Sequence, residues 1–138
     1  MEKYALDTDI LIDFLRKKNK AIFVIKKLKE EGFLATTIIN VFELFWGAYK
    51  LRGKEKIDAV RKLIERLEIL SFNEKIAESA GKEIAYLESI GLPINIRDLL
   101  IGTIAKEHGY IMVTGDEKHL QRIRGLEIIN WRKISLAK

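Results

Sequence analysis

Four acidic residues stand where a carboxylate needs a reason. Asp7 follows the short apolar run Tyr4-Ala5-Leu6, and Asp116 follows Tyr110-Ile111-Met112-Val113 by way of Thr114-Gly115. Glu43 interrupts Ile-Ile-Asn-Val-Phe-Glu-Leu-Phe-Trp-Gly, and Asp98 interrupts Ile-Arg-Asp-Leu-Leu-Ile-Gly. Charged side chains are rarely buried unless paired. Glu43 could pair with a nearby lysine, Asp98 could face the positive end of its own helix, or both could serve a bound cation. Four carboxylates converging on one crevice repel unless they are protonated or bridged by cations. Hard, oxygen-seeking ions such as Mg2+ or Mn2+ suit such a set. Carboxylate-held Mg2+ keeps exchangeable waters and binds phosphate oxygens, which points to phosphoryl chemistry. Gly47 and Gly102 each follow a helical carboxylate by one turn. Either they leave room beside it or they permit close helix packing.

The elements that must position these groups alternate between two periods. Short apolar runs at 4–6, 33–36, 68–72, 110–113 and 126–131 read as strands. Helical spacing covers 10–16, 21–30, 39–51, 54–66, 74–90 and 96–108. Thr8 or Asp9 is placed to cap the first helix and Asn95 the last. Gly32 closes the second, while Gly91 and Pro93 stop the fifth. Phe42, Phe45, Trp46 and Tyr49 fall on one face of the third helix, a stripe read as core packing. Alternating strands and helices predict a parallel sheet covered on both faces, with ligands bound beyond the carboxyl ends of the strands where their order reverses. Asp7 and Asp116 sit there if their strands are neighbours.

Composition sets the remaining bounds. The chain has 138 residues and 48% hydrophobic content, enough for a single domain over 1–138. It contains no cysteine, which excludes disulfides, thiolate metal sites and a cysteine nucleophile. No apolar stretch nears the roughly 20 residues that cross a bilayer, and the opening run is too short for a signal peptide. A cytoplasmic protein with no membrane association is expected. The net charge of +5 permits a polyanionic partner such as RNA without establishing one. Basic groups at Arg16, Lys17 and Lys18, at Lys50, Arg52 and Lys54, and at Arg97 are candidates to hold an RNA backbone.

The segments around the four acids resemble a known family. Leu-Asp-Thr-Asp-Ile-Leu-Ile-Asp at 6–13 resembles the opening motif of PIN domains, specifically of VapC-type toxins. Residues 41–48, 96–105 and 113–116 are similar to the second, third and fourth motifs, in order and across nearly the whole chain. The resemblance implies a three-layer α/β/α sandwich with a parallel sheet of order 3-2-1-4-5. It implies Mg2+ or Mn2+ dependence, endonucleolytic RNA cleavage, a small antitoxin that blocks the site, and a homodimer. It makes Asp7, Glu43, Asp98 and Asp116 the acidic quartet and metal ligands, with Asp7, Asp98 and Asp116 binding directly. Thr8 and Thr114 match hydroxyl positions that orient carboxylates or water, and Asp9 stands where many members have Asn. His119 and Leu120 replace a frequent Asp-Phe, a departure expected to touch packing more than chemistry. The alternatives are a haloacid-dehalogenase-like phosphatase, because Asp7-Thr8-Asp9 also fits its opening, and an inactive PIN-like RNA-binding module.

Overall fold

The computed structural model describes residues 1–136; the last two residues of the domain expected over 1–138 lie outside the described residues. In chain order the elements are β1 (Glu2–Leu6), α1 (Thr8–Leu15), α2 (Asn19–Glu31), β2 (Gly32–Thr37), α3 (Ile38–Lys50), α4 (Lys54–Glu65) and β3 (Glu68–Leu70). There follow α5 (Glu74–Ser89), α6 (Ile96–Glu107), β4 (Ile111–Thr114), α7 (Glu117–Leu120), β5 (Ile128–Asn130) and a 3-10 turn, Trp131–Lys133. The strands form one sheet of order β3-β2-β1-β4-β5, every neighbouring pair parallel.

The pleat distributes the core between two faces. Tyr4, Leu6, Ile111 and Val113 point into a cluster with Leu11, Val24, Leu44 and Val60, from α1, α2, α3 and α4. Ala5 and Met112 point the other way, into a cluster with Ala80, Leu87, Ile101 and Ile104 from α5 and α6. The result is the expected three-layer sandwich. The chain crosses over from β1 to β2 on one side and reaches β4 on the other, so the strand order reverses between β1 and β4. A crevice opens at their carboxyl ends.

Two local expectations are corrected. Asp7, not Thr8 or Asp9, caps α1: its backbone is extended and its side chain accepts from Thr8 N at 2.7 Å. Gly32 closes α2 as expected, its N–H donating to Leu28 O. It is already extended strand, and glycine is required because a Cβ would lie 2.1 Å from the Glu2 carbonyl oxygen of β1. The aromatic stripe of α3 is not core: Phe42, Trp46 and Tyr49 are 62%, 61% and 56% exposed, and Phe45 alone of the four packs against the core. The buried positions are Asn40, Leu44 and Ala48, another i, i+4, i+8 row of the same helix. Because α3 is apolar nearly all round, periodicity identifies faces without saying which one meets the sheet.

Candidate active site

Asp7 is the centre of the crevice. It leaves β1 and starts α1, its own N–H donates to Val113 O at 2.9 Å, and it is 2% exposed. Its Oδ1 accepts from Thr8 N, from Asn40 Nδ2 at 2.9 Å and from Arg97 Nη2 at 2.9 Å; its Oδ2 accepts from Thr114 Oγ1 at 2.8 Å. A buried carboxylate with this many donors is held in one orientation. Thr114, at the end of β4, also accepts from Asp116 N at 3.0 Å, so one hydroxyl links the first and last acids.

Helix α3 brings two side chains. Thr37 and Asn40 form a reciprocal cap at its start, which fixes Asn40 with no solvent exposure. Asn40 Nδ2 then donates to Asp7 and, at 2.8 Å, to Thr8 Oγ1, while Thr8 Oγ1 donates to Glu43 Oε1 at 2.6 Å. Asn40 escaped the reading of the sequence; its signal was a Thr-x-x-Asn spacing ahead of an apolar helix. Helix α6 supplies Asp98 through a matching cap. Asn95 Oδ1 accepts from Asp98 N, and Asn95 Nδ2 donates to Asp98 Oδ2, both at 2.8 Å.

A guanidinium stands among these acids. Arg97 Nε donates to Glu43 Oε2 at 2.6 Å, Nη2 to Glu43 Oε1 at 3.0 Å and to Asp7 Oδ1, and Nη1 to Asp98 Oδ1 at 2.7 Å. Burial opposes its charge, but the hydrogen bond to Glu43 and the charges on Asp7 and Glu43 outweigh it, so its pKa is raised. Arg97 is therefore tied into the carboxylates rather than presented on an open basic surface, and the lysine partner foreseen for Glu43 is this arginine. The carboxylates are expected to repel unless protonated or bridged by cations, and Arg97 is one such internal cation for three of them.

Asp9 borders the site. Its Oδ1 accepts from Ile10 N and its Oδ2 from Gly115 N, both at 2.7 Å. Burial and the neighbouring Asp7 charge raise its pKa against those two N–H groups. A Cβ on Gly115 would lie 2.5 Å from Asp9 Oδ2, so the Thr-Gly-Asp turn needs glycine for close approach. Asp116 stands at the exposed rim, 3.6 Å from Nδ1 of His119. One donor atom each from Asp98, Asp116 and His119 lies within 4.8 Å of the others. Leu120, at the position of the expected packing departure, is fully buried, whereas His119 lies beside Asp98 and Asp116. Among the other basic candidates Arg16, Lys17, Lys18, Lys50, Arg52 and Lys54 are exposed. Arg16 lines a groove of about 170 Å³ with Glu43 and Gly47.

The donor set fits a hard divalent cation. Asp7, Glu43 and Asp98 converge on a positive charge, with Arg97 as the stand-in, and Asp116 adjoins Asp98. A parallel α/β/α sandwich with carboxylates gathered at the β1/β4 switch defines a phosphoryl-transfer type of site. The sequence matches the PIN domain family over residues 4–126, and the chain belongs to that family. It is 33% identical over 132 residues to the ribonuclease VapC1 of Haemophilus influenzae strain R2866, covering 94% of this chain and 98% of that protein. It is 28% identical over 133 residues to the tRNA(fMet)-specific endonuclease VapC of Shigella flexneri, covering 95% and 99%. Among solved structures, VapBC2 of Rickettsia felis bound to a promoter DNA fragment superposes with a TM-score of 0.85 at 29% identity, covering 94% and 98%. DNA-bound VapBC of Salmonella typhimurium gives 0.83 at 30% identity, covering 95% and 99%.

Proposed function

We propose that this chain is an endoribonuclease of the VapC type, the toxin of a toxin–antitoxin pair, and that Asp7, Glu43, Asp98 and Asp116 carry its catalysis with Mg2+ or Mn2+. Ribonuclease relatives matched over nearly their whole length and neighbours solved as VapBC complexes support the class. The observation that carries the site assignment is the convergence of Asp7, Glu43 and Asp98 on a single cation, Arg97. Family membership leaves the phosphatase reading without support, and an intact acidic quartet does the same for an inactive module.

When bound, the divalent ion lowers the pKa of a water and neutralises charge on the scissile phosphate. Asp7, Asp98 and Asp116 are the direct ligands in this reading, and Glu43 holds a second ion or positions water. Thr8 orients Glu43, and Thr114 orients Asp7 while tethering the Asp116 backbone. Asp9 shapes the Gly115 turn from beneath. A cation held by Asp7, Glu43 and Asp98 would compete for the oxygens that Arg97 bonds, and the released guanidinium would be able to meet a phosphate. Arg16 and Lys50 line grooves that include Glu43, and with the exposed Lys17 they would hold the RNA backbone through charge.

The partners are an RNA substrate, a small antitoxin and a second copy of the chain. The exposed Phe42, Trp46 and Tyr49 supply apolar area of the kind such interfaces use. Among the described residues no helix is long and apolar enough to cross a membrane, and we place the activity in the cytoplasm. The test is cleavage of single-stranded RNA by metal-stripped protein to which Mg2+ or Mn2+ is returned. Cleavage that needs the added ion and stops with EDTA is expected. Undiminished cleavage in EDTA, or hydrolysis of small phosphomonoesters with RNA untouched, would overturn the proposal.

A further inference from the structure

We infer that His119 is a nitrogen donor at the metal site and biases it towards Mn2+ over Mg2+. The inference rests on the carboxylate cluster being the metal site proposed above. Three observations carry it. A donor atom of His119 lies within 4.8 Å of donors from both Asp98 and Asp116. His119 Nδ1 is shielded from solvent and has no hydrogen-bond partner; Asp116 Oδ2, at 3.6 Å, is too far to be one. The turn that carries the ring is anchored: Leu120 next to it is fully buried, and Glu117 of the same turn is bonded to Asn130 and Lys133.

A shielded ring nitrogen left unpaired costs free energy, and a cation between His119 and the two carboxylates would satisfy it. The chemistry of that donor decides which cation. Mg2+ is held through oxygen and keeps its waters, whereas affinity for a site with a nitrogen donor rises along the first-row divalent ions, of which Mn2+ is the first and still favours carboxylates. The chain has two histidines, and the other, His108, is engaged at Nε2 by the Ser71 carbonyl at 3.0 Å. A nitrogen signal on a bound ion would therefore report His119.

The experiment loads metal-stripped protein with Mn2+ alone and with Mg2+ alone, read by calorimetry and by pulsed electron paramagnetic resonance of the Mn2+ form. Wild type should show coupling of Mn2+ to a nitrogen-14 nucleus, lost in His119→Gln. Mn2+ affinity of that variant should fall about ten-fold while Mg2+ affinity hardly changes. His119→Asp, which supplies oxygen in place of nitrogen, should raise Mg2+ affinity above wild type and remove the nitrogen coupling of Mn2+. The wild-type spectrum needs no variant, so a poorly folded mutant does not blunt the test. Tight Mn2+ binding with no nitrogen coupling, or equal losses for both ions, overturns the role of His119 and leaves the carboxylate site standing. No Mn2+ binding at all overturns both.

Discussion

Arg97 and Glu43 are 54 residues apart in the chain, and the guanidinium of one grips the carboxylate of the other through two bonds, at 2.6 and 3.0 Å. The same guanidinium reaches Asp7 and Asp98, so the oxygens available to a metal are those already satisfied by a residue of the protein. Arg97 acts as counter-ion and competitor in one side chain.

Replacing it separates those roles. Arg97→Gln should destabilise the metal-free protein by about 1–3 kcal/mol, because buried acceptors lose a charged donor. The same variant should bind Mn2+ several-fold more tightly, since no internal cation has to be displaced. Thermal melts with and without Mn2+, read beside calorimetry, check both signs. A variant as stable as wild type with unchanged affinity would show that the contacts carry little energy.

Asp98→Asn tests the carboxylate from the other side. Clustered acids alone would make neutralisation stabilising. Here Asp98 accepts from both Arg97 and Asn95, and an amide nitrogen in place of Oδ2 would face the Asn95 donor. The melting temperature of the metal-free protein should therefore fall, by an amount equivalent to about 0.5–2 kcal/mol. RNA cleavage should be lost. Retained cleavage would remove Asp98 from the chemistry.

Gly47 and Gly102 occupy equivalent positions behind Glu43 and Asp98 and should respond oppositely. A Cβ at Gly102 would lie 2.3 Å from Ile123 Cδ1 and about 3 Å from Leu120 and Leu126, so Gly102→Ala should cost about 1–3 kcal/mol by overpacking. At Gly47 nothing lies within 4 Å, and Gly47→Ala should gain about 0.5–1 kcal/mol of helix stability. Gly102 is thus a packing residue. Gly47 opens onto the groove beside Glu43, where Gly47→Val should weaken RNA cleavage more than stability. Two denaturation curves and a cleavage assay decide between the roles.

Far from the crevice, Glu83 ties α5 to the segment before β5. Its oxygens accept from Arg124 N at 3.0 Å and from the Arg124 guanidinium, which stacks on Tyr86. Burial opposes ionisation of Glu83, but the bonds and charge from Arg124 overcome it and lower its pKa. For a lowered carboxylate the stabilisation is full above the ordinary glutamate value of 4.5 and is lost as pH falls through the folded value. Glu83→Gln should therefore be less stable than wild type at pH 7, and the gap should close in acid. A gap independent of pH would mean that the contact does not depend on the charge.

Much of this architecture is local and therefore legible in sequence. The alternation of short apolar runs with 3.6-residue spacing predicts the sheet and its helices. The acids fall at a strand end, inside a helix, at a capped helix start and after a Thr-Gly turn, positions that spacing alone marks. Asn95 as the cap of α6 is a nearest-neighbour effect and was visible too. What spacing cannot supply is the pairing of distant side chains. Arg97 precedes Asp98 by one residue and reads as a loose basic group, yet its length lets it reach Asp7, 90 residues away. The inward row of α3 depends on which face meets the sheet, and an almost wholly apolar helix leaves that to tertiary packing. His119 comes within reach of Asp98 because α7, which follows β4, packs on α6. The chain's local chemistry determined the elements and the four acids, whereas which cation they hold without metal, and which side chains join them, required the elements to be packed, because those interactions act over ångströms in space and not along the sequence.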